Sequence, residues 1–223
     1  MDELIERDAV IQALDAVYAE GPGAAATKRA QAKLRQALDR AKGQTVYYDR
    51  VTHPRVGELY VAVSERGLIA LDFGLNEADF VDRVQRRTRA ALVRSRERCA
   101  EAMRQVREYL DGQRTRFDLP LDMTPMTAFQ RQVLSAALKI PRGQWLTYGE
   151  VAKAIGKPQA SRAVGQALGH NPVPIVIPCH RVLGSDGSLH GYSGGGGIRT
   201  KAWLLQLEGA NLPNKIREFS HNA

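Results

Sequence analysis

A cysteine, a histidine and an arginine stand side by side in the segment Pro178-Cys179-His180-Arg181-Val182. A free cysteine at pH 7 is only a few per cent thiolate, so it needs a neighbouring base or positive charge to become a strong nucleophile. His180 and Arg181 are such neighbours. The segment therefore favours nucleophilic chemistry at Cys179. The alternative is a buried structural cysteine beside an incidental histidine.

The element that carries Cys179 decides whether His180 can act on it. The preceding residues 171–177 are apolar apart from Asn171, contain two prolines and predict a strand. Successive side chains of a strand point to opposite faces, so on a continuing strand His180 would not touch Cys179. We expect either a turn at Pro178-Cys179 or a water molecule that relays the proton.

A glycine-rich loop, Gly191-Tyr192-Ser193-Gly194-Gly195-Gly196-Gly197, follows the cysteine segment. Glycines let a backbone approach a ligand closely or let a loop move as a lid. The loop lacks the GKS or GKT ending of a phosphate-binding P-loop. The next helix, which begins at 201–205, ends near Glu208. This residue is either a solvated charge or the carboxylate that orients His180.

Two capping boxes mark helices upstream of Cys179. Thr127-Ala128-Phe129-Gln130 opens a helix that we expect to run to about Ile140. Thr147-Tyr148-Gly149-Glu150 opens a short helix that ends near residue 155, and residues 161–168 predict a further helix. Two short helices around a tight turn that contains glycine outline a helix-turn-helix.

The first half of the chain has the pattern of a scaffold. Residues 45–48, 59–63 and 68–73 predict strands, and the turn signal at 65–67 predicts an antiparallel hairpin. Residues 77–110 predict one helix, and residues 114–120 predict a returning edge strand. Residues 1–44 predict two short helices. We interpret Cys99, in the long helix, as a packing cysteine.

Composition limits the class of protein. Hydrophobic residues make up 43% and charged residues 25% of the 223, as in an ordinary soluble protein. No apolar run reaches the roughly 18 residues of a membrane span, and the acidic N-terminus is unlike a signal peptide. The two cysteines, Cys99 and Cys179, cannot build a disulfide framework or a four-ligand zinc site. We expect a cytoplasmic protein without a metal.

Positive charge is concentrated in the second half of the chain. Residues 125–223 contain 11 Lys or Arg and 4 Asp or Glu, a balance of +7, whereas residues 1–124 contain 21 and 20, a balance of +1. A basic segment beside a neutral one indicates a polyanionic partner such as nucleic acid.

These residues together resemble the O6-alkylguanine-DNA alkyltransferases, also called methylated-DNA–protein-cysteine methyltransferases. The resemblance covers residues 127 to about 210. It rests on the segment 178–182, on Asn171-Pro172 and on 191–195, together with Phe129-Gln130, 147–152, 162–165 and 205–209. Residues 45–120 resemble the variable N-terminal domain of the family loosely. The loop departs from the family pattern by two further glycines, Gly196-Gly197.

The resemblance implies catalytic roles. Cys179 would accept the alkyl group from O6 of guanine. His180 would be the base, acting through a water molecule, and Glu208 would hold the other histidine nitrogen. Tyr148 would donate a proton or hydrogen bond to guanine N3. Asn171 would tie the helix-turn-helix to the active-site segment.

The resemblance also implies contacts to DNA. Arg162 would fill the gap left in the base stack when guanine rotates out, and Tyr148 would lie at the same surface. The small residues Ala163 and Gly165 would allow the recognition helix to approach the minor groove closely.

A pocket for the extrahelical base is implied as well. The Val182 carbonyl and the Ser193 backbone N–H would read the base. Tyr192 would form a wall of this pocket, to which we also assign Arg181.

We therefore predict an α+β fold in three segments. Residues 1–44 form a helical extension, and 45–122 form a small N-terminal α/β domain with an antiparallel sheet. Residues 123–223 form a mostly helical, winged-helix-like domain with the helix-turn-helix. The implied function is DNA repair, in which O6-alkylguanine is flipped out of double-stranded DNA and its alkyl group passes irreversibly to Cys179. We expect a monomer that uses no cofactor and contacts no membrane.

Two other functions compete with this one. A non-enzymatic alkyltransferase-like protein shares the fold but lacks the acceptor cysteine, so the presence of Cys179 argues against it. An unrelated Cys–His hydrolase or transferase of small substrates would leave the pattern between Arg162 and Asn171 unexplained, and it predicts turnover without DNA.

Overall fold

The computed structural model describes residues 45–192 and 194–212. The helices predicted over residues 1–44 and the predicted contact of Ser193 lie outside the described residues. Apart from Thr45 and residues 89–91, the described residues belong to one compact unit. The division of the chain between residues 122 and 123 stays a prediction.

A four-stranded sheet forms the first half of the described chain. Its strands are β1 (Thr45–His53), β2 (Gly57–Ser64), β3 (Gly67–Phe73) and β4 (Ala91–Arg94), in the order β3-β2-β1-β4. β2 pairs antiparallel with both β1 and β3, and Val61 lies opposite Asp49 and Leu71. The hairpin predicted around residues 65–67 is confirmed.

The single helix predicted over residues 77–110 is wrong. The chain forms α1 (Glu77–Thr88), then β4, then α2 (Arg96–Leu110). Arg89 adopts a φ of 54°, which no α-helix tolerates, and the Ser95 side chain caps α2 by accepting a hydrogen bond from the Arg98 N–H. The apolar residues keep a helical spacing in both α1 and α2. The periodicity therefore does not reveal that β4 separates the two helices.

The second half of the chain is mostly helical. It contains α3 (Ala128–Leu138), α4 (Tyr148–Ala154), α5 (Ser161–Gly169) and α6 (Ile198–Leu207). Both predicted capping boxes are confirmed, at Thr127 with Gln130 and at Thr147 with Glu150. α5 packs against α3 and α4, with Val164 fully buried. Within the described residues no helix is long and apolar enough to cross a bilayer.

The edge strand predicted over residues 114–120 is not formed. Only one isolated bridge joins this region to the sheet, between Leu68 and Leu121. The Leu68 N–H donates to the Pro120 carbonyl over 2.8 Å, and the Asp122 N–H donates to the Leu68 carbonyl over 2.9 Å. Pro120 has no N–H of its own, which limits any longer ladder along this segment.

The strand predicted over residues 171–177 is also wrong. Ile175 has a φ of 73°, and the Ile177 N–H donates to the Val173 carbonyl, so the chain folds into a tight turn. A 3₁₀-helix, Cys179–Arg181, follows the turn. It leads into β6 (Val182–Leu183), which pairs in parallel with β5 (Leu146–Thr147).

One hydrophobic cluster joins the sheet to the helices. It includes Val61 of β2, Val106 of α2, Leu134 of α3 and Ile177. Cys99 is fully buried in the same cluster, and burial raises the pKa of its thiol to about 12. This thiol therefore stays protonated at neutral pH.

The end of β3 contacts the glycine-rich loop backbone to backbone. The Gly195 N–H donates to the Phe73 carbonyl over 3.0 Å. A Cβ atom on Gly74 would lie 2.7 Å from the Gly195 Cα, and one on Gly195 would lie 2.7 Å from the Phe73 carbonyl oxygen. The Tyr192 ring packs near the Phe73 ring, with 6.2 Å between centroids. The loop is therefore held by the sheet rather than free in solvent.

We expect Gly74→Ala to destabilise the protein more than Gly57→Ala. Both glycines have positive φ, +80° and +76°, so both variants carry a similar backbone strain of about 1–2 kcal/mol. Only Gly74 faces another backbone, because nothing lies within 4 Å of a Cβ at Gly57. Overpacking adds about 1–3 kcal/mol, or about 3–10 °C in Tm. Equal Tm values in a thermal melt would contradict the backbone contact.

Candidate active site

Cys179 is the first residue of the 3₁₀-helix and is only 6% exposed. The Asn171 Nδ2 donates to the Cys179 Sγ over 3.1 Å and to the Ile177 carbonyl over 2.9 Å, while its Oδ1 accepts from the Val173 N–H. One buried amide thus fixes both the turn and the thiol. Burial raises the pKa of the Cys179 thiol, and the Asn171 hydrogen bond and the Lys201 charge oppose that rise.

His180 forms a buried pair with Glu208. Its Nε2 lies 2.5 Å from the Glu208 Oε1, and its Nδ1 has no hydrogen-bond partner among the described residues. Burial lowers the pKa of His180, whereas burial of Glu208 is outweighed by His180 and Arg181, which bring the pKa of Glu208 down to about 2. A neutral histidine beside an ionised carboxylate donates from Nε2. The lone pair is then on Nδ1.

Arg181 lies behind Glu208. Its Nε donates to the Glu208 Oε2 over 2.8 Å, and one Nη donates to the Ile140 carbonyl over 2.5 Å. The Tyr109 hydroxyl donates to the same carboxylate. The planar guanidinium of Arg181 thus holds Glu208 through two of its nitrogens. The assignment of Arg181 to the base pocket stays a prediction.

The 3₁₀-helix answers the question of how the neighbours Cys179 and His180 are placed. A 3₁₀-helix has three residues per turn, so successive side chains are about 120° apart rather than on opposite faces. The expected turn at Pro178-Cys179 is present, since Pro178 precedes the helix with φ −81° and ψ 63°.

A cavity of about 1050 Å³ lies between α4, α5 and the loop that follows β6. Tyr148, Arg162, Gly165, His190 and Tyr192 are among the residues that line it. Burial raises the pKa of the Tyr148 and Tyr192 hydroxyls, and a negative charge on Cys179 raises both further. The sequence placed four of these five residues at the site and missed His190.

The tyrosines and α5 give this cavity its shape. The Tyr148 ring lies over Gly165, where an added Cβ would be 3.7 Å from the ring. The Tyr192 hydroxyl is buried without a hydrogen-bond partner in the described part of the chain. Arg162 is exposed, and Ala163 is half-buried beside it.

Lys201 is a residue of the site that was not predicted from the sequence. This residue is 1% exposed, and its Nζ donates to the Val182 carbonyl over 2.7 Å and to the His190 carbonyl over 3.2 Å. Burial lowers the pKa of Lys201 to about 8. A signal was available, because Lys201 precedes the buried Leu205 by four residues and so shares its helix face.

Between residues 45 and 212, leaving out Ser193, no group of three His, Cys, Asp or Glu residues could hold a metal ion. The described site therefore consists of a buried thiol and a buried histidine–carboxylate pair, with a cavity lined by residues of α4 and α5.

Known proteins share this architecture. The family model described as "6-O-methylguanine DNA methyltransferase, DNA binding domain" matches residues 128–210. The model described as "6-O-methylguanine DNA methyltransferase, ribonuclease-like domain" matches residues 46–123. The two matches together cover almost all of the residues that the structure describes.

Individual relatives match over most of their length. The methylated-DNA–protein-cysteine methyltransferase of Methanosarcina barkeri is 42% identical over 169 residues, 75% of this chain and 99% of the relative. The Mycobacterium tuberculosis protein of that name is 48% identical over 118 residues, 53% of this chain and 70% of the relative. The crystal structure of Mycobacterium tuberculosis OGT in complex with DNA superposes with a TM-score of 0.62 at 38% identity, covering 78% of this chain and 99% of that chain. The chain belongs to the methylated-DNA–protein-cysteine methyltransferase family.

Proposed function

We propose that this protein repairs DNA by moving an alkyl group from O6 of guanine to its own Cys179. The observation that carries the proposal is a buried thiol, held by Asn171, in the same 3₁₀-helix as the His180 that pairs with Glu208. The helices α4 and α5 that precede this segment line the large cavity. The relative from Mycobacterium tuberculosis was crystallised with DNA, and the +7 balance of residues 125–223 suits the same partner.

The proposed reaction is an in-line displacement at the alkyl carbon. The Cys179 proton passes through one water molecule to the Nδ1 of His180, and the thiolate attacks. The new C–S bond forms as the C–O bond breaks, and the electron pair of that bond goes to the guanine. The Tyr148 hydroxyl donates to guanine N3 and so stabilises this developing charge. The Tyr148 proton passes to the departing guanine, and the proton held by His180 returns to Tyr148 through water, so the products are guanine and a thioether at Cys179.

Two charged residues support the thiolate. Glu208 stays ionised and keeps the Nε2 proton of His180 in place, which leaves Nδ1 free to accept. The Lys201 charge favours the thiolate, since it lowers the pKa of Cys179 against the effect of burial. Lys201 also orients the Val182 carbonyl, which we propose to accept a hydrogen bond from the base.

The base must leave the duplex to reach the thiol. O6 of guanine is buried in a base pair, and extrusion costs a few kcal/mol, less at a weakened alkylated pair. We assign the entry to α5, where Arg162 occupies the vacated stack and Ala163 and Gly165 permit close approach. Tyr192 and the Ser193 N–H complete the base pocket. Asn171 connects the end of α5 to the thiol.

We further propose that the protein acts as a cytoplasmic monomer without metal or cofactor. Every group in the proposed reaction belongs to one chain, and both cysteines are free thiols. The competing proposal, a Cys–His hydrolase of small substrates, differs in requiring repeated turnover without DNA. The following measurement separates the two.

Each molecule should accept one alkyl group. A thioether at Cys179 has no group that water could displace at neutral pH, so transfer from an O6-methylguanine duplex should plateau at one equivalent. Intact mass and peptide mapping locate the adduct. Cys179→Ser should abolish transfer and keep DNA affinity, because a hydroxyl is a far poorer nucleophile. The matched control, Cys99→Ala, should still react. Repeated turnover or an adduct at Cys99 would refute the mechanism.

Arg162→Ala should slow repair of duplex DNA far more than reaction with the free base O6-benzylguanine. In our proposal Arg162 stabilises the flipped state and takes no part in bond making. We expect about a tenfold or greater loss with duplex, since several-kcal/mol flipping costs are then less well offset. Lys153→Ala serves as the control, because it removes the same charge at an exposed position of α4 that does not line the cavity. Equal losses on both substrates would assign Arg162 a structural role.

Glu208→Gln should destabilise the protein at pH 7 by about 3–5 kcal/mol, because Arg181 loses its buried counter-charge. The folded-state pKa of Glu208 is about 2 against an ordinary 4.5, so its stabilisation is complete above pH 4.5 and is lost as pH falls towards 2. At pH 3 the difference between the variants should therefore shrink by about 2 kcal/mol. Urea unfolding at both pH values measures it, and a constant difference would contradict the ionised carboxylate.

A further inference from the structure

A second basic cleft, of about 400 Å³, lies between α1 and the C-terminal end of α5. Arg83 and Arg87 of α1 line one side, and Gly169 and His170 line the other. Gly169 also lines the larger cavity that contains Tyr148. The cleft therefore begins where the cavity at the helix-turn-helix ends.

The two arginines differ in their partners. Arg83 is paired, since one of its Nη atoms lies 2.5 Å from the Oδ2 of the buried Asp72. The other Asp72 oxygen accepts from the Phe73 N–H over 2.9 Å, so each oxygen of this carboxylate already has a partner.

Arg87 stands one helical turn after Arg83 and is half-buried. Within the described residues it makes no hydrogen bond or ion pair, and Asp72 acts on it only from a distance. Burial and the Arg83 charge lower the pKa of Arg87. Both effects disfavour the charged form of this guanidinium. A partly desolvated arginine without a partner destabilises a fold unless a bound anion supplies the missing counter-charge.

The other wall of the cleft adds no negative side chain. His170 caps the C-terminal end of α5, and its Nδ1 lies 2.7 Å from the Gln166 carbonyl. Asp72, already paired, is the one carboxylate among the described residues that line the cleft. The balance of side-chain charge is therefore positive, and an arginine fork fits the oxygens of a phosphate.

We propose that Arg87, supported by Arg83, binds a phosphate of the DNA backbone. The inference rests on the proposed function, because the duplex that α5 engages is the anion that reaches this face. From Arg162 to Gly169, which lines the cleft, the helix rises about 10 Å. In this proposal the first half of the chain adds a phosphate contact to those of α5.

The test compares Arg87→Ala with Arg86→Ala. Arg86 is the adjacent residue on α1, its side chain is 80% exposed, it pairs with Asp82, and it does not line the cleft. Affinity for an undamaged duplex is measured over a series of salt concentrations. Arg87→Ala should weaken binding about tenfold at 50 mM salt and should reduce the slope of log K against log salt by about 0.9. Arg86→Ala should match the wild type, and Arg87→Lys should keep most of the slope.

Reaction with free O6-benzylguanine separates this proposal from the proposed function. The rate of adduct formation should be the same in all variants, because none of them changes a reacting group and all keep Asn171, which lines the cleft and donates to the Cys179 thiol. Equal salt slopes for Arg87→Ala and Arg86→Ala would overturn the phosphate contact while the adduct at Cys179 still formed. A slower free-base reaction in Arg87→Ala would overturn it too, by showing a structural defect. Failure of the proposed function appears separately, as a wild-type protein that forms no adduct.

Discussion

The buried carboxylate of Glu208 is the interaction on which the rest of the site depends. It accepts from Tyr109 of α2 and from both His180 and Arg181 of the 3₁₀-helix. Three elements distant in sequence therefore meet at one negative charge. A buried carboxylate is stable only when its partners are complete, so this geometry admits little variation. Folding therefore places the Glu208 carboxylate against the Nε2 of His180, and the carboxylate keeps the histidine proton on that nitrogen.

The features predicted correctly from the sequence are those that local chemistry determines. Each capping box needs only four consecutive residues, and both formed as expected. The hairpin needs a turn between two β-rich runs. The breaks at Arg89 and Ile175 were missed because they depend on a positive φ in residues other than glycine, which tertiary contacts impose. No periodicity reports such a conformation.

The candidate site was predictable in its members more than in its arrangement. The residues around Cys179 were identified by their types and order, yet the contact of Arg181 with Glu208 was not predicted, because no local pattern connects residues 27 positions apart. Lys201 was overlooked because a lysine in an amphipathic helix is normally exposed. Its two carbonyl acceptors come from Val182 and His190, which no local pattern connects to it.

The contact between Gly74 and Gly195 bears on how separable the two halves of the molecule are. Residues 128–210 contain the thiol, the base and the helix-turn-helix, so they look like a transferable module. Yet the loop that carries Tyr192 rests on the Phe73 carbonyl and on a Gly74 that admits no side chain. A chimaera that combines halves from two relatives must therefore preserve the backbone contact between Gly74 and Gly195. Elsewhere the first half of the chain can accept substitutions independently of the second half. At this contact, a change at Gly74 requires a compensating change in the loop around Gly195.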